Sequence, residues 1–102
     1  MNRILLIATA FALATLAPTA GAAGDAAAGK AKAGVCAGCH GANGEGKGSY
    51  PALAGRSQAE ITTALDEYKS GKRSNPMMHS FAAKLSDDDI ANLAAYYASL
   101  KK

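Results

Sequence analysis

Cys36-Ala37-Gly38-Cys39-His40 constrains this chain more than any other stretch in it. Two thiols three residues apart, followed at once by an imidazole, form the attachment pattern of c-type haem. If the segment makes one helical turn, positions i and i+3 share a face. Both sulfurs then reach neighbouring vinyl groups while His40 turns to the iron. A fold built on such a stretch must close around a flat apolar group as well as around its own side chains.

Disulfides, thioredoxin-like sites and zinc sites use the same cysteine pair. A closed zinc site takes four ligands, and outside the motif the chain offers only His79 and carboxylates. A thioredoxin-like site accompanies a βαβ pattern, and no alternating Val/Ile-rich run follows the N-terminal apolar segment. A plain disulfide or thiol site is the alternative that survives.

The chain opens on Met1-Asn2-Arg3, continues as an apolar run from Ile4 to Ala17, and then passes Pro18 to the small residues Ala20-Gly21-Ala22. This is the layout of a secretory signal. Residues 1–22 are expected to be removed after Ala22, a retained anchor being the other outcome. The run is shorter than the roughly 20 helical residues that span a bilayer core. Export to the periplasm agrees with the motif, because an oxidising compartment would otherwise join the two thiols.

One domain, residues 23–102, is then expected, with no stable membrane insertion. It holds only fifteen Val, Leu, Ile, Met, Phe and Tyr residues and no Trp, so it needs a staple beyond its own core. A buried porphyrin supplies the missing apolar surface, at about 25 cal/mol per Å². Without Arg3 the domain carries ten basic and eight acidic side chains. That balance lacks the concentrated basic footprint of a nucleic-acid binder.

Three helical patterns stand out, and the fold class they indicate is all-α. Asp25 is placed to N-cap a first helix running from Ala26 to about Val35 and into the motif. Gly29 and Ala33 lie four apart on it and leave a smooth face for a neighbouring helix. Gly41 to Arg56 is glycine-dense and aperiodic, a long loop expected to wrap the haem edge. Ser57-Gln58-Ala59-Glu60 is a capping box, followed by Ile61, Ala64, Leu65 and Tyr68 at helical spacing until Gly71. Ser86 and Asp87 to Asp89 open the last helix with anions at its positive end, and Lys101 and Lys102 are expected to close it. The aspartates therefore read as capping residues and not as a metal site.

A six-coordinate haem iron needs a second strong ligand opposite His40. Met77, Met78 and His79, between the second and third helices, are the candidates. Here the chain resembles the class I c-type cytochromes, particularly small bacterial monohaem carriers and single halves of their double-haem relatives. The resemblance runs through GDAAAGKAKAGVCAGCHG, YPALAG, YKSGKRSNPMM and AAKLSDDDIANLAAYYASL.

What the resemblance implies is a small cytochrome c fold, three main helices and loops around a single haem c attached through Cys36 and Cys39. The family's ligand methionine stands seven residues before the Leu of a Leu-Ser cap. That position is Met78, counted back from Leu85, with Met77 in reserve. Pro51 matches the proline whose carbonyl accepts the imidazole N–H. Leu53 and Tyr97 would pack on the porphyrin, Arg56 would pair with a propionate, and Leu93 and Tyr96 would face Gly29 and Ala33. Lys32 departs from the aromatic residue of long mitochondrial-type members and predicts a thinner contact between terminal helices.

The function implied is that of a soluble exported single-haem electron carrier, monomeric, not an enzyme, exchanging electrons with membrane or periplasmic oxidoreductases. A haem-based sensor or ligand-binding protein, and a fixed electron-transfer subunit of a larger complex, are its rivals. Lys47, Lys69, Lys72, Arg73 and Lys84 are candidates to ring the haem edge and steer an acidic partner.

Overall fold

The computed structural model describes residues 24–101. The expected signal at 1–22 lies outside the described residues. Five helices follow one another: α1 Ala26–Lys32, α2 Gly34–His40, α3 Gln58–Ser70, α4 Pro76–Ala83 and α5 Asp87–Ser99. Apart from an isolated bridge between Lys47 and Tyr50, all regular structure among the described residues is helix.

Three of the starts are where the capping residues put them. The Asp25 carboxylate accepts from the backbone N–H groups of Ala27 and Ala28 at 2.9 and 3.3 Å. Ser57 with Glu60, and Ser86 with Asp89, each form a reciprocal capping box. Gly71 closes α3 in the left-handed conformation, φ 84°.

Two elements differ from the expected three-helix layout. The first helix does not run unbroken into the motif. Ala33 donates to Lys30 O, a tighter i−3 bond, and its own carbonyl then starts α2 by accepting from Cys36 and Ala37. Gly34, a weak helix residue, follows at the joint. The segment between the second and third expected helices is itself α4, started by an Asn75 N-cap with Pro76 in the first turn. A smaller correction concerns the C-terminus. Leu100 is extended and packs against the core, so Lys101 lies past the end of α5, whose last turn holds no basic side chain; Lys102 lies outside the described residues.

Helix α5 is the spine of the molecule. Ile90 and Leu93 on it are 2% and 1% exposed, and α1 and α3 both pack against it. Ile61 and Leu65 of α3 and Leu85 complete the cluster. The first helix reaches α5 through its glycine: a Cβ on Gly29 would stand 2.0 Å from Asn92 O and 2.8 Å from the Tyr96 Cβ. Asn92, on the turn beside the expected Leu93, is thus the nearest partner. Its side-chain oxygen also accepts from Asp25 N at 2.7 Å, tying the start of α1 to the same turn. Lys32 forms an ion pair with Asp89 at 3.5 Å, so the position that departs from the mitochondrial pattern bridges α1 and α5 by charge.

Candidate functional site

A cavity of about 340 Å³ opens between the motif helix, the glycine-rich loop, α3, α4 and the C-terminal half of α5. That volume falls in the usual range of small-molecule and cofactor pockets. Cys36, Cys39, His40, Pro51, Leu53, Arg56, Met78 and Tyr97 all line it. They come from four separate parts of the chain, spread over more than half its length, and only the fold brings them together.

His40 ends α2 and is buried. Its Nδ1 lies 2.8 Å from Pro51 O. A carbonyl can only accept, so Nδ1 carries the proton, which leaves Nε2 as the nitrogen able to offer a lone pair. This is the tautomer a metal-ligating imidazole needs, held by the kind of outer bond that also sets ring orientation. Tyr50 meets the same ring edge-on at 5.9 Å. His40 O accepts from Gly46 N, which folds the start of the loop back over the helix end.

The loop is fitted to α5 as well. Leu53 N and Ala54 N both donate to Gly44 O, and Gly55 N donates to Tyr97 O. Gly44 has φ +68°, and a Cβ there would sit 2.7 Å from the Tyr97 ring. A side chain at Gly44 would push Tyr97 off the cavity wall. Burial pushes the Tyr97 hydroxyl well above its ordinary pKa, with Cys36 beside it adding to the shift. Burial likewise raises the Cys36 thiol, and its hydrogen bond with Tyr97 partly opposes this.

Helix α4 supplies both methionines to the cavity. Met78 is half-buried and packs on the core cluster, whereas Met77 is 51% exposed. His79 does not line the cavity; its Nδ1 donates to Tyr68 O at 2.8 Å. Arg56 Nε donates to Ala52 O at 2.7 Å, which orients the guanidinium on the rim.

Most of the cations expected around the haem edge do not line the cavity itself. Of the five, only Arg73 borders it, and there it pairs with Glu67 at 2.9 Å and lies over the Tyr68 ring. Lys69 turns away and donates to Leu85 O. Sequence reasoning missed Val35, Tyr50, Asn75 and Phe81 on the cavity wall. The Asn-Pro pair at the head of α4 was the one local signal, since Asn caps helices and Pro suits a first turn.

These residues fit a haem. Val35, Tyr50, Met77 and Phe81 are the exposed large hydrophobic side chains of the described residues, and every one of them faces this cavity. Apolar surface gathered in one place marks something that covers it. An imidazole with a free Nε2 and thioether sulfurs make up a donor set suited to iron.

The helical fold and this cavity define a small protein organised around a covalently held haem. The family model of cytochrome c matches residues 26–101, and the chain belongs to that family. It therefore carries haem c, attached through Cys36 and Cys39. Cytochrome c4 of Pseudomonas aeruginosa is 44% identical over 99% of this chain and 50% of its own length. Cytochrome c-554(548) of Halomonas halodenitrificans is 44% identical over 76% of this chain and 98% of its own. Among solved structures, thiosulfate dehydrogenase of Marichromatium purpuratum superposes with a TM-score of 0.73 at 32% identity, over 89% of this chain and 22% of that one. The chain thus spans about half the length of the c4 relative and nearly all of the c-554(548) relative.

Proposed function

We propose that this protein is an exported single-haem carrier that takes one electron from a donor protein and hands it to an acceptor, with His40 and Met78 as the axial ligands. The haem supplies a one-electron iron couple when bound. His40 would bind through Nε2, its ring oriented by the bond from Nδ1 to Pro51 O. Met78 brings a thioether from α4, a ligand that raises the potential relative to a second imidazole. Leu53 and Tyr97 would shield the porphyrin from water, and Arg56 would pair with a propionate at the rim. If His40 and Met78 both ligate the iron, no open site for a substrate would remain, and no enzymatic activity is expected of the chain itself. The signal at 1–22 would deliver it to the periplasm, where it acts as a monomer.

The observation that carries this reading is the convergence of the motif residues and Met78 on one cavity, with the His40 tautomer fixed for ligation. Redox titration of the exported protein with carbon monoxide added to the reduced form tests it. A reversible one-electron wave with slow or negligible carbon monoxide binding is expected. Rapid stoichiometric binding would favour a sensor or ligand-binding role instead. The match to thiosulfate dehydrogenase favours a second reading, a fixed electron-transfer subunit. A native mass well above that of one chain in the periplasmic extract would select it over the free carrier.

A further inference from the structure

We propose that Asn75 and His79 form a two-point clamp that holds the backbone at Met78 and presents this methionine, and not Met77, to the iron. The inference rests on Met78 ligation as proposed above.

Helix α4 has only eight residues, too few to hold its shape without tertiary support. Its first turn is nevertheless anchored on both sides of Met78. Before it, Asn75 is extended (φ −165°, ψ 101°), and its side-chain oxygen accepts from Met78 N at 3.0 Å. After it, the His79 ring donates from Nδ1 to Tyr68 O at 2.8 Å, in the last turn of α3. The backbone closes the loop between them, with His79 N donating to Asn75 O at 2.8 Å. Pro76 fixes φ within the same turn.

The two anchors differ in kind. Asn75 sets the local geometry of the turn, while His79 sets the position of that turn against α3. Together they determine where the Met78 side chain leaves the backbone. Met77, one residue earlier and 51% exposed, has neither bond. An axial thioether that can swing away opens the iron to small ligands, so the clamp should appear as slow exchange at that position. Both are positioning residues, acting through Met78.

The test uses the haem-loaded exported protein and measures the rate of cyanide binding to the oxidised form, alongside the far-red sulfur-to-iron charge-transfer band. Asn75→Ala and His79→Ala should each raise the cyanide rate by about fivefold or more, the scale of one lost cap or anchoring bond. Asn75→Ser, which restores a capping oxygen, and His79→Gln, which restores a donor, should return the rate towards wild type. His79 is exposed, so His79→Ala leaves the core intact and decides the matter if Asn75→Ala fails to take up haem. Wild-type rates in the alanine variants, with the band present, would overturn the clamp alone. A wild-type protein with no far-red band would overturn Met78 ligation, and the clamp with it.

Discussion

Met77 and Met78 are adjacent and chemically identical, yet their surroundings separate them. Met78 packs on the core cluster and its N–H is held by Asn75, while Met77 is half in solvent. Met78→Ala should therefore abolish the far-red charge-transfer band and lower the potential, and Met77→Ala should retain both. Spectra and a redox titration of the two variants check this. Gly29 makes a second prediction at this scale. Replacing it with Ala gains about 1 kcal/mol of helix propensity, but its Cβ would stand 2.0 Å from Asn92 O. That oxygen belongs to the backbone of α5 and cannot rotate away, so overpacking of about 1–3 kcal/mol dominates. A net loss of up to about 2 kcal/mol is expected in denaturant titration of the haem-loaded protein.

The helices depend on their ends. Ser86→Ala removes the oxygen that accepts from Asp89 N at 3.0 Å and should destabilise the protein by about 1 kcal/mol. Asp89 carries a pH dependence. Its bond from Ser86 N, chiefly, and the neighbouring Lys32 hold its carboxyl below the ordinary value. A depressed folded value means that the carboxylate stabilises the fold above the unfolded value near 3.9, and that this contribution is lost as pH falls through the folded value. Urea midpoints measured from pH 6 downwards should fall on acidification, with a shallower slope in Asp89→Asn. The Ser57–Glu60 capping box and the acidic start at Ser86 were legible in the sequence because they involve residues within one turn, whereas the reciprocal Ser86–Asp89 box emerged from the structure. Helix α4 was not legible, because eight residues with a weak pattern owe their helicity to packing against α3.

At the scale of the whole molecule, a thin side-chain core and an apolar cavity are two sides of one fact. Among the described residues, the large hydrophobic side chains left exposed, Val35, Tyr50, Met77 and Phe81, all border the cavity that suits haem c. A Cys36→Ala, Cys39→Ala variant prepared without haem should be largely unfolded, and a cooperative thermal melt with native-like near-UV circular dichroism would contradict that. What the amino-acid sequence determined by itself was what short separations carry: the attachment pair with its histidine, three of the helix starts, the glycine-rich loop and the all-helical class. Tertiary structure alone decided which distant groups meet. Tyr68 O reaches His79 across eleven residues, Asn92 rather than Leu93 lies nearest to Gly29, and the lysines do not line the cavity. The physical reason is that a periodic pattern specifies which face of a helix is apolar, whereas the approach of two faces depends on how the loops between them close and what volume they must enclose.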